Sequence, residues 1–206
     1  MNQEILKDRY LYPLSEPDGQ GKQRKLSIAP NVFKNSNECE ALVFNYSFGQ
    51  GETLYFVAPQ VLFIAIFRAL EDALRSKEPT KPIVWDYQPN PQKPAVKLAV
   101  GRGDDLRPFI AISGEINGKV RSKRFYWYLP KGWGMSRDGN PVSDLEASET
   151  IMRAFLEQRS VFLKALEDSY NPRVFQQGGN NGRGNGNQNY RPQQGGGGDT
   201  SFDDLF

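Results

Sequence analysis

Apolar and polar positions alternate with a period of two over a series of short runs, and two longer runs carry a helical period. Residues 24–29, 40–48 and 52–57 read as strands, with Gly49-Gln50-Gly51 as the hairpin step between the last two. A helix over residues 59–76 follows, with Pro at its first turn. The residues Val61-Leu62-Phe63-Ile64-Ala65-Ile66-Phe67 wrap apolar surface most of the way round the first two turns, which predicts a helix that is buried or lies at an interface. Residues 83–87, 95–101, 107–116 and 119–129 then read as four more strands, the last two joined by Asn117-Gly118. A loop over residues 130–142 leads to a long helix over residues 143–169. Ser143 and Glu146 form its capping box, and Asn171-Pro172 ends it. Residues 1–23 read as a loose arm with one short strand, relieved only by the apolar patch Tyr10-Leu11-Tyr12.

This order predicts an α+β fold in which a unit of antiparallel strands followed by a helix is used twice. Leu54-Tyr55-Phe56-Val57-Ala58-Pro59 echoes Phe125-Tyr126-Trp127-Tyr128-Leu129-Pro130, and Arg68-Ala69-Leu70-Glu71-Asp72 echoes Lys164-Ala165-Leu166-Glu167-Asp168. In both, an aromatic last strand runs to Pro and the matching helix segment follows. The layout resembles the Whirly/PUR-like group, whose sheets face outward over crossed helices. The alternative is an elaborated OB-fold, a five-stranded barrel with the first helix between its third and fourth strands; it leaves surplus strands and a long terminal helix to place. The apolar first helix and long second helix point to self-association, although a monomer whose helices pack on each other gives the same pattern.

Composition changes at residue 175. Residues 175–206 hold nine Gly, five Asn and five Gln, too little apolar surface to offset the entropy of ordering. Setting aside the two Arg and three Asp of this tail leaves 24 basic and 21 acidic residues in the body, a mild excess. Any partner of opposite charge must therefore be met by clustered cations. There is one cysteine, Cys39, and no histidine. That argues against an intrachain disulfide, a transition-metal site, an activated thiol and a neutral-pH proton shuttle. No amino-terminal basic and apolar leader is visible, and the longest apolar run, residues 61–67, is too short to span a bilayer. These features predict a protein of the cytoplasm with no membrane partner.

The cations cluster with aromatics. On the strand over residues 119–129, alternation puts Lys119, Arg121, Lys123, Phe125 and Trp127 on one face, and Val120, Ser122, Arg124, Tyr126 and Tyr128 on the other. Cations that follow phosphates beside rings that stack on bases are what single-stranded nucleic acid requires. A charged sheet edge with core aromatics would give the same residues. Lys22, Arg24 and Lys25 precede the first strand, while Lys97, Arg102 and Arg107 sit on or beside the middle ones. Lys131, Trp133 and Arg137 occupy the loop that follows. Trp85 and Tyr87 share a face with Ile83. The candidate nucleic-acid contacts are Lys97, Arg107, Lys119, Arg121, Lys123, Arg124, Phe125, Trp127, Lys131 and Trp133.

The chain closes on Asp199-Thr200-Ser201-Phe202-Asp203-Asp204-Leu205-Phe206. Together with the Gly-rich linker, this resembles the tail of bacterial and phage single-stranded DNA-binding proteins, which follow a DNA-binding domain with a flexible linker and an acidic tip ending in Phe. The usual bacterial tip has a run of Asp and then Ile-Pro-Phe; here two adjacent Asp precede Leu205 and Phe206, without Pro. The resemblance covers linker and tip and leaves the body unmatched, which favours a phage-type member working in a bacterial or infected host cell. It implies that Asp203, Asp204, Leu205 and Phe206 dock on replication or repair proteins: a ring and a carboxylate fit an apolar pocket with a basic rim. The implied function is sequence-independent binding of single-stranded DNA in replication, recombination or repair, without cofactor or metal. An RNA-binding chaperone would share the basic-aromatic strand, and a non-nucleic-acid adaptor would share the tail.

Enzyme chemistry finds little support. Asp104, Asp105 and Glu115 could be read as nuclease ligands, but Gly103-Asp104-Asp105 reads better as a turn. Gly101-Arg102-Gly103 lacks both the spacing and the following helix of a phosphate loop.

Overall fold

The computed structural model describes residues 5–31 and 41–168. Cys39, Asn171-Pro172, the Gly-rich linker and the Asp203–Phe206 tip lie outside the described residues. The fold is α+β, with the elements β1 (Leu14–Ser15), β2 (Ser27–Pro30), β3 (Ala41–Gly49), β4 (Glu52–Pro59), α1 (Gln60–Arg75), β5 (Ile83–Tyr87), β6 (Val96–Arg102), β7 (Pro108–Ile116), β8 (Lys119–Tyr126), β9 (Ser136–Arg137), β10 (Asn140–Pro141), α2 (Asp144–Glu157) and α3 (Arg159–Asp168). The order of strands followed by helix occurs twice, as the sequence predicts. β2, β3 and β4 form an antiparallel sheet that runs into α1. β5 to β8 form an antiparallel meander, with β1 added beside β8 in the order β1-β8-β7-β6-β5, and lead through the β9-β10 hairpin to α2. Two open meanders stand where the OB alternative requires one closed barrel.

The hairpins follow the turn chemistry. Asn117 and Gly118 have φ of 53° and 74°, the left-handed pair that a two-residue turn needs. Gln50 and Gly51 do the same at 49° and 81°, after a register shift between Ser47 and Gly49. Asp138 and Gly139, at 50° and 80°, close the β9-β10 hairpin inside what the pattern reads as plain loop.

One hydrophobic core joins both sheets and all three α-helices. From α1 it receives Phe63, Ile66, Phe67, Leu70 and Leu74, the helical stripe facing the sheets. The outer flank of α1 leaves Val61 and Ile64 exposed. Phe67, Phe155 and Phe162 bring α1, α2 and α3 together, with ring centroids 5.1–5.9 Å apart. The two sheets approach closely at Gly114, because a Cβ there would stand 3.0 Å from a Leu54 methyl. The expected long second helix breaks at Gln158 into α2 and α3. At its start Ser143 Oγ accepts from the Glu146 amide at 3.2 Å, while the Glu146 carboxylate pairs with Arg137 instead of returning to the cap. None of the described helices is long and apolar enough to cross a membrane.

The amino-terminal arm is more ordered than its composition predicts. Tyr12 is fully buried, and its hydroxyl accepts from the Leu6 amide at 2.9 Å. Beyond it, residues 13–26 fold back as a finger: Leu26 N donates to Pro13 O at 2.9 Å, and Ser15 N donates to Arg24 O at 2.7 Å. Its tip is tied by Asp18, whose carboxylate accepts from the Gln20 and Lys22 amides at 3.0 and 2.8 Å. Those two amides hold the Asp18 carboxyl below its ordinary pKa.

Candidate nucleic-acid interface

β8 carries most of the candidate cations. β1 pairs with it only at Phe125 and Tyr126, so among the described residues the same edge is without a strand partner along Lys119–Arg124. The finger and the end of β3 stand beside that open stretch. Between them lies a groove of about 460 Å³, lined by Lys22, Arg24, Arg121 and Lys123 as cations and by Tyr46 and Phe48 as rings. The two rings meet edge to face, with centroids 4.8 Å apart. Burial raises the Tyr46 hydroxyl pKa above the ordinary tyrosine value, so the ring is neutral under physiological conditions. Glu16 and Asp18 also line the groove. The Asp18 charge is engaged by backbone amides at the tip of the finger.

The four cations are held differently. Arg24 donates to Ser47 O at 3.1 Å and bridges the finger to β3. Arg121 donates to Glu52 at 2.9 Å, which pins it to the β3-β4 turn, and its Nε is buried without a partner. Lys22 stands within electrostatic reach of Asp18, whereas Lys123 has no ion-pair partner among the described residues.

Alternation along β8 holds, but the inward face changes character along its length. Trp127 and Phe125 lie in the core, while Lys123 and Arg121 reach the groove. Phe125 is fully buried against Tyr46, at a centroid distance of 4.8 Å, so its ring has no face for a base. Trp127 packs on Phe155 at 5.5 Å and is 1% exposed. Base stacking by these two rings, expected from the sequence, is ruled out by tertiary packing. Trp85 and Tyr87 likewise turn toward the core.

The opposite face of the five-stranded sheet carries Lys97, Arg124 and Tyr126 over a floor of Ala99 and Ala111. The Arg124 guanidinium lies 4.3 Å from the centroid of the Phe109 ring, and that of Arg107 lies 4.2 Å from that of Tyr126. Asp105 accepts from Arg107 Nε at 2.7 Å. Burial opposes the Arg107 charge, yet the bond and charge of Asp105 outweigh it, so its pKa is raised. Lys97 lies 3.8 Å from Asp86. Lys119 and Lys131 are exposed tips, apart from both the groove and the sheet face. Trp133, 75% exposed, joins Arg107 and Trp127 around a second pocket on the other flank of the finger. Arg102, grouped by sequence with the candidate cations, is buried and structural.

Tyr46 and Phe48 were not among the sequence candidates. Their local signal is an alternating aromatic pair at a strand end. What makes it a groove is the finger and β8, dozens of residues away in either direction. Asp104 and Asp105 sit in a turn, where Asp105 accepts from the Arg107 amide at 3.0 Å. No group of three acidic, His or Cys side chains suited to a metal ion occurs among the described residues. No protein-family model matches this chain, and no curated protein or solved structure does so.

Proposed function

We propose that this chain binds single-stranded DNA without regard to sequence, in replication, recombination or repair, and that Asp203, Asp204, Leu205 and Phe206 recruit partner proteins. The groove carries this reading: four cations, against the two carboxylates Glu16 and Asp18, and the half-buried Phe48 ring beside an unpaired strand edge. Cations there neutralise phosphates of a passing strand, and displaced counterions make the affinity fall with salt. Phe48, half-buried at the groove, offers the stacking face, backed from the core by the buried Tyr46, and stacking tolerates every base. A duplex keeps its bases stacked inside and cannot use that ring. The Gly-rich linker lets the acidic tip search for partners while the body holds DNA.

The test is fluorescence-anisotropy titration of labelled oligo-dT with the full chain at low and high salt, with a duplex control. Salt-weakened binding to the single strand and far weaker binding to the duplex supports the reading. Equal or tighter binding of a matched RNA would replace it with an RNA-binding chaperone. No binding at low salt would sink it and leave an adaptor protein.

A further inference from the structure

The second pocket, of about 370 Å³, lies on the other flank of the finger, where Pro17 and Gln23 form one wall. Trp133 and Tyr128 contribute rings, Arg107 contributes a guanidinium and Asp144 a carboxylate. Trp133 is 75% exposed, an uncommon position for the largest apolar side chain. Trp127 and Ser148 also line the pocket, and each carries a polar atom without a hydrogen-bond partner, Trp127 Nε1 and Ser148 Oγ. Both side chains are almost wholly buried, at 1% and 3% exposed. Buried polar groups are nearly always paired, because an unpaired one has lost water and gained nothing. Two in the wall of one pocket, among aromatic side chains, point to a ligand that is flat and bears hydrogen-bond acceptors.

We infer that this pocket is a nucleobase subsite, which takes one unstacked base of the bound strand. This rests on the single-strand reading above and adds a place where one base leaves the stack. Trp133 stacks on the base. A ring carbonyl accepts from the Trp127 indole N–H, which can only donate, and Ser148 Oγ completes the edge. Arg107, held by Asp105 at 2.7 Å and by Glu16 at 3.5 Å, forms a polar wall of the pocket. Trp133 stands between Gly132, at φ 85°, and Gly134, and entry of a base to the two sealed atoms requires a local shift of the pocket wall. With the cationic groove on one flank of the finger and this pocket on the other, a strand that crosses the finger meets both.

The test compares the full chain with W133A, W133F and S148A, on oligo-dT and on an abasic oligonucleotide of equal length. Because Trp133 is exposed and Ser148 makes no hydrogen bond, all three variants should keep the parental fold. W133A should lose about tenfold in affinity for oligo-dT and nothing on the abasic strand, and W133F should recover most of the loss. S148A should bind oligo-dT more weakly while its melting temperature stays level or rises, the mark of a polar group kept for a ligand. Parental affinity of W133A for oligo-dT would overturn the subsite and leave the single-strand reading standing. An equal loss on the abasic strand would also overturn it, since the ring would then serve the backbone. If the parent protein bound no oligo-dT, both readings would fall together.

Discussion

Arg102 donates to Glu149 at 2.6 Å from a position that is 2% exposed. The same guanidinium donates to the carbonyls of Ala73 and Leu74 in the last turn of α1, at 2.9 and 3.0 Å, and to Leu106 O. One side chain on β6 therefore closes the C-terminus of α1 and ties it to α2. Carbonyls at a helix end lack partners within the helix, and a cation there also meets the negative end of its dipole. Removing one partner of a buried pair strands the other. R102A is expected to cost about 3–5 kcal/mol in urea unfolding, and E149Q, which keeps an acceptor, about 1–3 kcal/mol. A loss under 1 kcal/mol for R102A would show that the network is not structural.

Phe125 gives a test that separates core from interface. The ring is fully exposed to the core and closed to solvent. F125A should therefore destabilise the fold by about 3–5 kcal/mol. In the fraction that remains folded, oligo-dT affinity should change little. A stable F125A protein with weakened binding would put the ring back on the DNA.

How far the sequence was legible follows from the range of the interactions that decide each feature. The strands and α1 were read to within a few residues, because period-two alternation, Asn117-Gly118 and the aromatic runs ending at Pro59 and Pro130 are local signals. The break at Gln158 and the folded finger were not. The finger is held by Tyr12 in the core and by bonds between residues 13–15 and 24–26, and no local composition announces them. In the site, alternation placed Lys123 and Phe125 on one face of β8 correctly. Whether that face meets solvent or core depends on Tyr46, 79 positions earlier than Phe125. Arg102 shows the same limit: a cation on a strand looks alike whether it awaits a phosphate or a helix end.

Lys123 and Lys97 lie on opposite faces of the five-stranded sheet and should differ in the salt dependence of binding. Each phosphate neutralised on a single strand contributes about 0.7 to the slope of log affinity against log salt. K123A should lower that slope by about 0.7 and weaken binding to all sequences alike. K97A, whose parent residue already lies beside Asp86, should leave the slope unchanged. The reverse ranking would move the path of the strand from the groove to the outer sheet face.

Deleting residues 199–206 removes three acids and the Phe-Asp-Asp-Leu-Phe segment. If this segment folds back on the cationic groove, its loss should leave oligo-dT binding unchanged or tighter, most visibly at low salt where opposite charges attract furthest. Recruitment of replication or repair proteins in a pull-down from host extract should disappear at the same time. Weaker DNA binding after the deletion would contradict this division of labour.

Tyr46, Tyr126 and Tyr128 set an alkaline limit on stability. Burial raises all three hydroxyl pKa values above the ordinary value of about 10. A tyrosine is neutral when protonated, so the folded state holds these protons more tightly than the unfolded chain does. Their contribution is whole below about pH 10. It is lost as the pH rises through the folded values, because the unfolded chain gives up its protons first. Thermal melts between pH 8 and pH 11 should therefore fall more steeply at the upper end for the parent than for Y126F, which keeps the ring under Arg107 and loses the proton. Across pH 6 to 9 the difference between the two proteins should stay constant. Parallel curves through the alkaline range would mean that the Tyr126 hydroxyl titrates alike in the folded and unfolded chains.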